Sequence, residues 1–206
     1  MAANYNNSAW FYDKLSRVIY GKSLIRAQVY LLRFIPPESK ILLVGGGTGW
    51  ILEEIAKIHP SGLQITYVEV AERMIALSRK RDTGANEVIF INDAVENAPI
   101  GAEFDVVITP FLFDNFTEEN LQKIFGHIHK GLTHGGLWLN ADFHLTGKWW
   151  QKVLLKSMLL FFRIVCGIEA TKLPDISGSF LKYGYHTTEQ KSFFGDFILS
   201  GVYCKI

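Results

Sequence analysis

The amino-acid sequence predicts an α/β fold: one doubly wound, mostly parallel seven-stranded sheet with a C-terminal antiparallel hairpin and an N-terminal helical lid. Three observations predict it. Short β-rich runs alternate with helical segments. Two of those runs are apolar almost without interruption, as strands are when helices cover both faces of a sheet. A glycine-rich turn joins the first run to the helix behind it.

In chain order, residues 8–34 read as a helical leader that Pro36-Pro37 ends, since proline removes a donor and restricts the residue before it. Strands are predicted at 40–44 (KILLV), 64–69 (QITYVE), 87–91 (EVIFI), 104–109 (FDVVIT) and 136–142 (GLWLNAD), with helices at 49–58, 72–82 and 117–131 between them. In the last helix Leu121, Ile124, Phe125, Ile128 and Leu132 form one apolar stripe. Thr117 supplies its N-cap, and Glu118 and Glu119 suit the positive end of its dipole.

Residues 148–168, KWWQKVLLKSMLLFFRIVCGI, test whether the chain enters a membrane. A spanning helix needs about 20 apolar residues with few charges. Here Lys148, Lys152, Lys156 and Arg163 interrupt the run and fall within about 80° of one another on a helix, a narrow basic stripe. The reading is a non-spanning helix covered on most sides. A short helix over 176–184 and two strands, 186–194 and 196–205, turning near Gly195-Asp196, complete the chain. With no internal repeat or linker, residues 1–206 read as one domain, with 1–37 as leader and lid and 145–185 as a helical insert over an acceptor pocket.

Twenty-one basic and 20 acidic residues leave a net charge of +1, which lacks the basic excess of a nucleic-acid footprint. Cys166 and Cys204 sit among apolar residues and read as buried reduced thiols. No basic-then-apolar run opens the sequence, so a cytoplasmic location is expected. No His/Asp/Glu cluster has ligand spacing, so no metal is expected.

The segment ILLVGGGTGW, residues 41–50, carries the strongest local signal. Glycines permit positive φ and let a ligand approach the backbone, and the following helix offers free N–H groups. A dinucleotide fingerprint would place a third glycine where Trp50 stands; the glycines here are Gly45, Gly47 and Gly49. Glu69 closes the second strand, where an acid can accept hydrogen bonds from both hydroxyls of a ribose.

Together these residues resemble the class I S-adenosylmethionine-dependent methyltransferases, over about residues 8–143, nearest to the small-molecule, quinone-biosynthesis-like branch. VGGGTG resembles the glycine motif, Tyr67-Val68-Glu69 the acidic strand end, and Val70-Ala71-Glu72-Arg73-Met74-Ile75 the helix start behind it. Asn92-Asp93-Ala94 with Pro99, Phe104 to Phe116, and HKGLTHGGLWL resemble the later motifs in order. The resemblance implies a Rossmann-like domain that binds S-adenosylmethionine and releases S-adenosylhomocysteine. Gly45, Gly46, Gly47 and Gly49 would line its methionine and ribose portions, and Glu69 would hold the ribose diol. Val70 or Met74 would pack on the adenine, Asp93 would accept from its amino group, and the Ala94 N–H would read the ring. Asp93 has a competing reading as a capping aspartate. Thr109 and Pro110 would lie beside the transferred methyl. The sequence departs from the family at Leu43, where an acid commonly helps to anchor the methionine amine.

An activated methyl needs positioning and exclusion of water more than a nucleophile, so no nucleophile motif is expected. The candidates for catalysis are His144, as a base near neutral pH, Asp142, Asp114 and Tyr12, with His186 a weaker one. Tyr12 and Asp13 belong to WFYDKLSRVIYG, which resembles the leader of the quinone C-methyltransferases; an aromatic lid that never touches substrate fits it equally. The Trp-, Leu- and Phe-rich helix 148–166 suggests a small apolar or aromatic acceptor and a weak membrane-surface contact through its basic stripe. Two rival readings remain. A nicotinamide-dependent reductase is disfavoured by Trp50 and by the lack of a Y-x-x-x-K pair. The other is a non-catalytic relative that binds cofactor or a protein partner.

Overall fold

The computed structural model describes residues 19–101, 103–168 and 170–206; Tyr12, Asp13 and the rest of the leader up to residue 18 lie outside the described residues. In chain order the elements are α1 (Ser23–Leu32), β1 (Lys40–Val44), α2 (Trp50–Ile58), β2 (Ser61–Val68), α3 (Glu72–Ser78), β3 (Ala85–Ile91), β4 (Phe104–Pro110), α4 (Glu118–Gly131), β5 (Leu132–Phe143), α5 (Trp149–Cys166), α6 (Ile176–Lys182), β6 (Tyr185–Phe193) and β7 (Ile198–Lys205). The seven strands form one sheet in the order β3-β2-β1-β4-β5-β7-β6. Strands β1 to β5 pair in parallel, and β7 pairs antiparallel with both β5 and β6. The strand order reverses between β1 and β4, so the crevice at their carboxyl ends is where a ligand is expected.

The alternation of side chains along β1 builds two cores from four apolar residues. Ile41 and Leu43 face one side with α1, α2 and α5; Leu42 and Val44 face the other with α4 and α6. On the second side Trp138 stacks on Phe125 at 4.5 Å and meets Phe113, Phe180 and Tyr185 edge-on or tilted. Its indole N–H donates to Thr109 Oγ1 (2.8 Å), and the Thr109 hydroxyl donates to Asn140 Oδ1 (2.8 Å). Removing this ring leaves a large void and takes from Thr109 Oγ1 the donor it accepts from, so Trp138→Ala is expected to cost about 3–5 kcal/mol, read as a lowered urea midpoint.

Several boundaries differ from expectation for local reasons. Strand β5 starts at Leu132, four residues early, because the register shift between Phe104 and Val106 absorbs Gly135 at φ 77°. Helix α3 stops at Ser78, and Arg81 beyond it turns to bind the Thr48 carbonyl (2.9 Å) and Glu53. Thr117 caps α4 through Asn120 N–H, as its sequence predicts. The hairpin turns through Phe194, Gly195 and Asp196, all at positive φ. Buried Gln151 ties the start of α5 to that turn through the Gly195 carbonyl. Two expectations need correction. Cys204 is half-buried rather than buried, since it lies near the end of β7. Helix α5 is covered on one face only, and its outer face is open. Among the described residues no helix is long and apolar enough to cross a membrane.

Candidate cofactor and acceptor site

A cavity of about 670 Å³ opens at the carboxyl ends of β1 and β4, within the range of small-molecule sites. One end is built by the glycine turn. Gly45 and Gly47 have φ of 72° and 62°, which side-chain-bearing residues rarely adopt. A Cβ on Gly45 would stand 3.0 Å from Leu112 Cδ1, and one on Gly47 3.7 Å from Met74 Sδ, so both glycines leave open the floor of a crevice. Tyr67, buried under the turn, donates its hydroxyl hydrogen to the Gly47 carbonyl (2.9 Å) and fixes the height of that floor.

Glu69 lies at the end of β2 and faces this floor. Its Oε2 accepts from Gly47 N–H (3.1 Å) and its Oε1 from Ala71 N–H (2.9 Å). Burial pushes its carboxyl above the usual range, against the pull of these N–H groups. Each oxygen keeps a further lone pair, so the carboxylate can still accept from a vicinal diol. Asn92 donates to the Glu69 and Val70 carbonyls and holds the β3 loop against this wall (2.9 and 3.1 Å). Val70, Met74, Asp93 and Ala94 line the same end. Asp93 Oδ1 accepts from Ala94 N–H (2.7 Å) and Asn97, so that backbone donor is engaged by its own neighbour.

The other end is apolar. Tyr20, Leu24, Phe111, Phe143, Leu154, Met158, Phe161 and Phe162 form it, from α1 and the residues just before it, the loop after β4, the end of β5 and the inner face of α5. Phe111 sits at φ 50°, in the left-handed region, with its N–H donating to the Ala141 carbonyl (2.7 Å). That geometry turns the chain sharply after Pro110 and brings Leu112 and Asp114 back to the cavity. Asp114 is the acid at this end. Behind it Asp142 accepts from the backbone N–H groups of Phe113 (3.0 Å), Phe143 (2.8 Å) and Asp114 itself. Burial raises Asp142 to about 7; burial and the neighbouring Asp142 charge hold Asp114 well above the carboxylate range. Three N–H donors favour the negative charge on Asp142, which leaves the proton on Asp114.

Both acids bind protons more tightly folded than unfolded. Their contribution to stability is therefore complete below the usual carboxylate range and shrinks as pH rises, that of Asp142 being lost through about 7. Asp114→Asn removes one of the two. Its melting temperature is expected to gain on wild type between pH 5 and pH 8; a constant difference would contradict the shared-proton assignment.

The structure spreads the sequence-predicted residues unevenly. Gly45, Gly46, Gly47, Glu69, Val70, Met74, Asp93, Ala94, Pro110 and Asp114 line the cavity. Gly46 would drive a Cβ into Leu43 and Tyr67, so its small size also serves the packing beneath the turn. Gly49 lies outside the lining; a Cβ there would meet Ser78 Cα at 2.6 Å, so it is the contact between α2 and α3. Thr109 is buried between Asn140 and Trp138, one residue short of the cavity. Asp142 supports the turn from behind. His144 is away from the cavity, beside Asp196 of the hairpin turn, and His186 is exposed on the edge strand β6. Leu43, where the family has an acid, is fully buried. Tyr20, Phe111 and Leu112 were not singled out from the sequence, and Met158 and the Phe161-Phe162 pair were read only as part of the apolar helix over the acceptor pocket. The positive φ of Phe111 has no sequence signal, and the α5 residues carry only the generic signal of an apolar helix face.

The methyltransferase-domain family profile matches residues 41–136, from β1 into β5. A malonyl-acyl-carrier protein O-methyltransferase of Bacillus cereus is 29% identical over 142 residues, 68% of this chain and 51% of its own length. The ubiquinone/menaquinone biosynthesis C-methyltransferase of Wigglesworthia glossinidia brevipalpis is 27% identical over 188 residues, 88% of this chain and 72% of its own. In structure, a methyltransferase in complex with the Haloferax volcanii Trm112 methyltransferase activator matches with a TM-score of 0.71 at 15% identity, covering 99% of this chain and 98% of that one. At that identity the likeness shows the fold. The chain spans about half the length of the malonyl-acyl-carrier protein relative. Residues 41–136, just under half of the chain, thus match a methyltransferase domain, and the chain is similar to class I S-adenosylmethionine-dependent methyltransferases. S-adenosylmethionine is the cofactor of that class, and the open glycine floor with the buried Glu69 carboxylate above it fits a ribose diol.

Proposed function

We propose that this protein transfers the methyl group of S-adenosylmethionine to a small, apolar or aromatic acceptor carrying one polar oxygen. The observation that carries this reading is one continuous cavity, polar around Glu69 and apolar under α5, with Asp114 the acid at the apolar end. When bound, the cofactor supplies a methyl already activated on sulfonium. The chain's own residues do the rest. Glu69 and the Gly45–Gly47 backbone would hold the ribose, and Val70 and Met74 would flank the adenine. Phe143, Met158, Phe161 and Phe162 would exclude water and orient the acceptor ring or chain. Asp114 would hydrogen-bond the acceptor's oxygen and take up its proton once the pair has released its own, with Asp142 fixing the turn that carries it.

The two kinds of sequence relative act on different acceptors, so the acceptor is best sought directly. A panel of phenols, naphthols and short-chain acyl acids, assayed with methyl-labelled cofactor, tests the reading. Transfer confined to apolar members is expected. With such a substrate Asp114→Asn is expected to lower kcat about a hundredfold and leave S-adenosylhomocysteine binding unchanged. Transfer only to polar acceptors, or an unaffected Asp114→Asn, would overturn the assignment.

A further inference from the structure

The two faces of α5 do different things. At 100° per residue, Leu154, Met158, Phe161 and Phe162 share the inner face and wall the apolar end of the cavity. The opposite face carries Trp149, Val153, Leu160 and Ile164, exposed by 76, 56, 58 and 76%. These four fall within about 60° of one another, a stripe along the whole helix. Beside it Lys152, Lys156 and Arg163 form a second exposed stripe about 40° wide. Lys148 has left that stripe to pair with Asp196 (2.9 Å). Among the described residues no acid pairs with the other three cations. A helix that shows water a long apolar stripe edged with unpaired cations has the composition of an interfacial helix.

We propose that the outer face of α5 docks this protein on an anionic lipid surface. The apolar stripe would lie at the headgroup boundary and the three cations on the phosphates. A second copy of the chain is the less favoured occupant, because a two-fold contact centred on this stripe sets like charges against like. The docking surface stands on these residues alone. Its use rests on the reading above: one helix would then separate an anionic bilayer from an apolar acceptor cavity, placing the site where an amphiphilic acceptor is concentrated.

The test is co-sedimentation of the whole chain with vesicles of phosphatidylglycerol and phosphatidylcholine in equal parts, against phosphatidylcholine alone. Binding to the anionic vesicles only, released by high salt, is expected. Lys152→Gln, Lys156→Gln and Arg163→Gln together should weaken it on the order of a hundredfold. Trp149→Ser with Leu160→Ser should also weaken it, and bound wild type should show a blue-shifted tryptophan emission that the serine variant loses. Every variant is checked for its thermal shift with S-adenosylhomocysteine, which must match wild type. A retained shift without vesicle binding would overturn the docking proposal and leave the cofactor site standing. Equal binding by the glutamine variant, or a stable dimer abolished by the serine pair, would overturn it too.

Discussion

Glu69→Ala is expected to raise the dissociation constant of S-adenosylhomocysteine about a hundredfold, roughly 3 kcal/mol, while the sheet stays folded. Two losses combine. The cavity loses the carboxylate that would accept from the ribose hydroxyls, and the Gly47 N–H loses its partner at 3.1 Å, which loosens the floor itself. Glu69→Gln separates them. The amide keeps one acceptor oxygen and the side chain's volume, so it is expected to fall between wild type and alanine. Isothermal titration of the three proteins checks the order. A Glu69→Ala protein that binds as wild type does would mean that the diol contact lies elsewhere.

Gly49→Ala is expected to do the reverse: to destabilise the fold while sparing ligand affinity. Gly49 has φ 77°, where a side chain costs about 1–2 kcal/mol, and its Cβ would meet Ser78 Cα at 2.6 Å. Backbone on the far side cannot swing away, so crowding adds about 1–3 kcal/mol. A total near 4 kcal/mol would lower the urea midpoint sharply. The folded fraction is expected to bind S-adenosylhomocysteine within a few-fold of wild type, because Gly49 does not face the cavity. Lost affinity with unchanged stability would reverse these roles.

That contrast shows how far the residues alone could be read. The order of strands and helices was legible because burial on both faces writes itself as runs such as KILLV and FDVVIT, and because Gly195-Asp196 marks the hairpin. The cofactor end was legible for the same kind of reason: Gly45, Gly47 and Glu69 sit within a local strand–turn–helix unit whose geometry follows from spacing. What was not legible depended on approach between distant segments. Gly49 belongs to the same glycine series as Gly47, yet one faces a cavity and the other a helix 29 residues further on, at Ser78. His144 stands two residues from Asp142, but it lies past the end of β5, and the bond from its N–H to the Phe197 carbonyl holds it on the hairpin side. The pairing of Asp114 with Asp142 joins two strand ends and needs the left-handed Phe111, a conformation that no residue in TPFLFDNF announces.

The central claim is that the Gly45–Gly47 floor and Glu69 form a site for S-adenosylmethionine. The most direct test is the melting temperature of the wild-type chain with S-adenosylhomocysteine, with NAD at the same concentration as control. At a hundred times its dissociation constant the ligand should add about 2.7 kcal/mol, a rise of about 5–11 °C for a chain of this size, and NAD should add nothing. No rise at millimolar S-adenosylhomocysteine, or an equal rise with NAD, would contradict it.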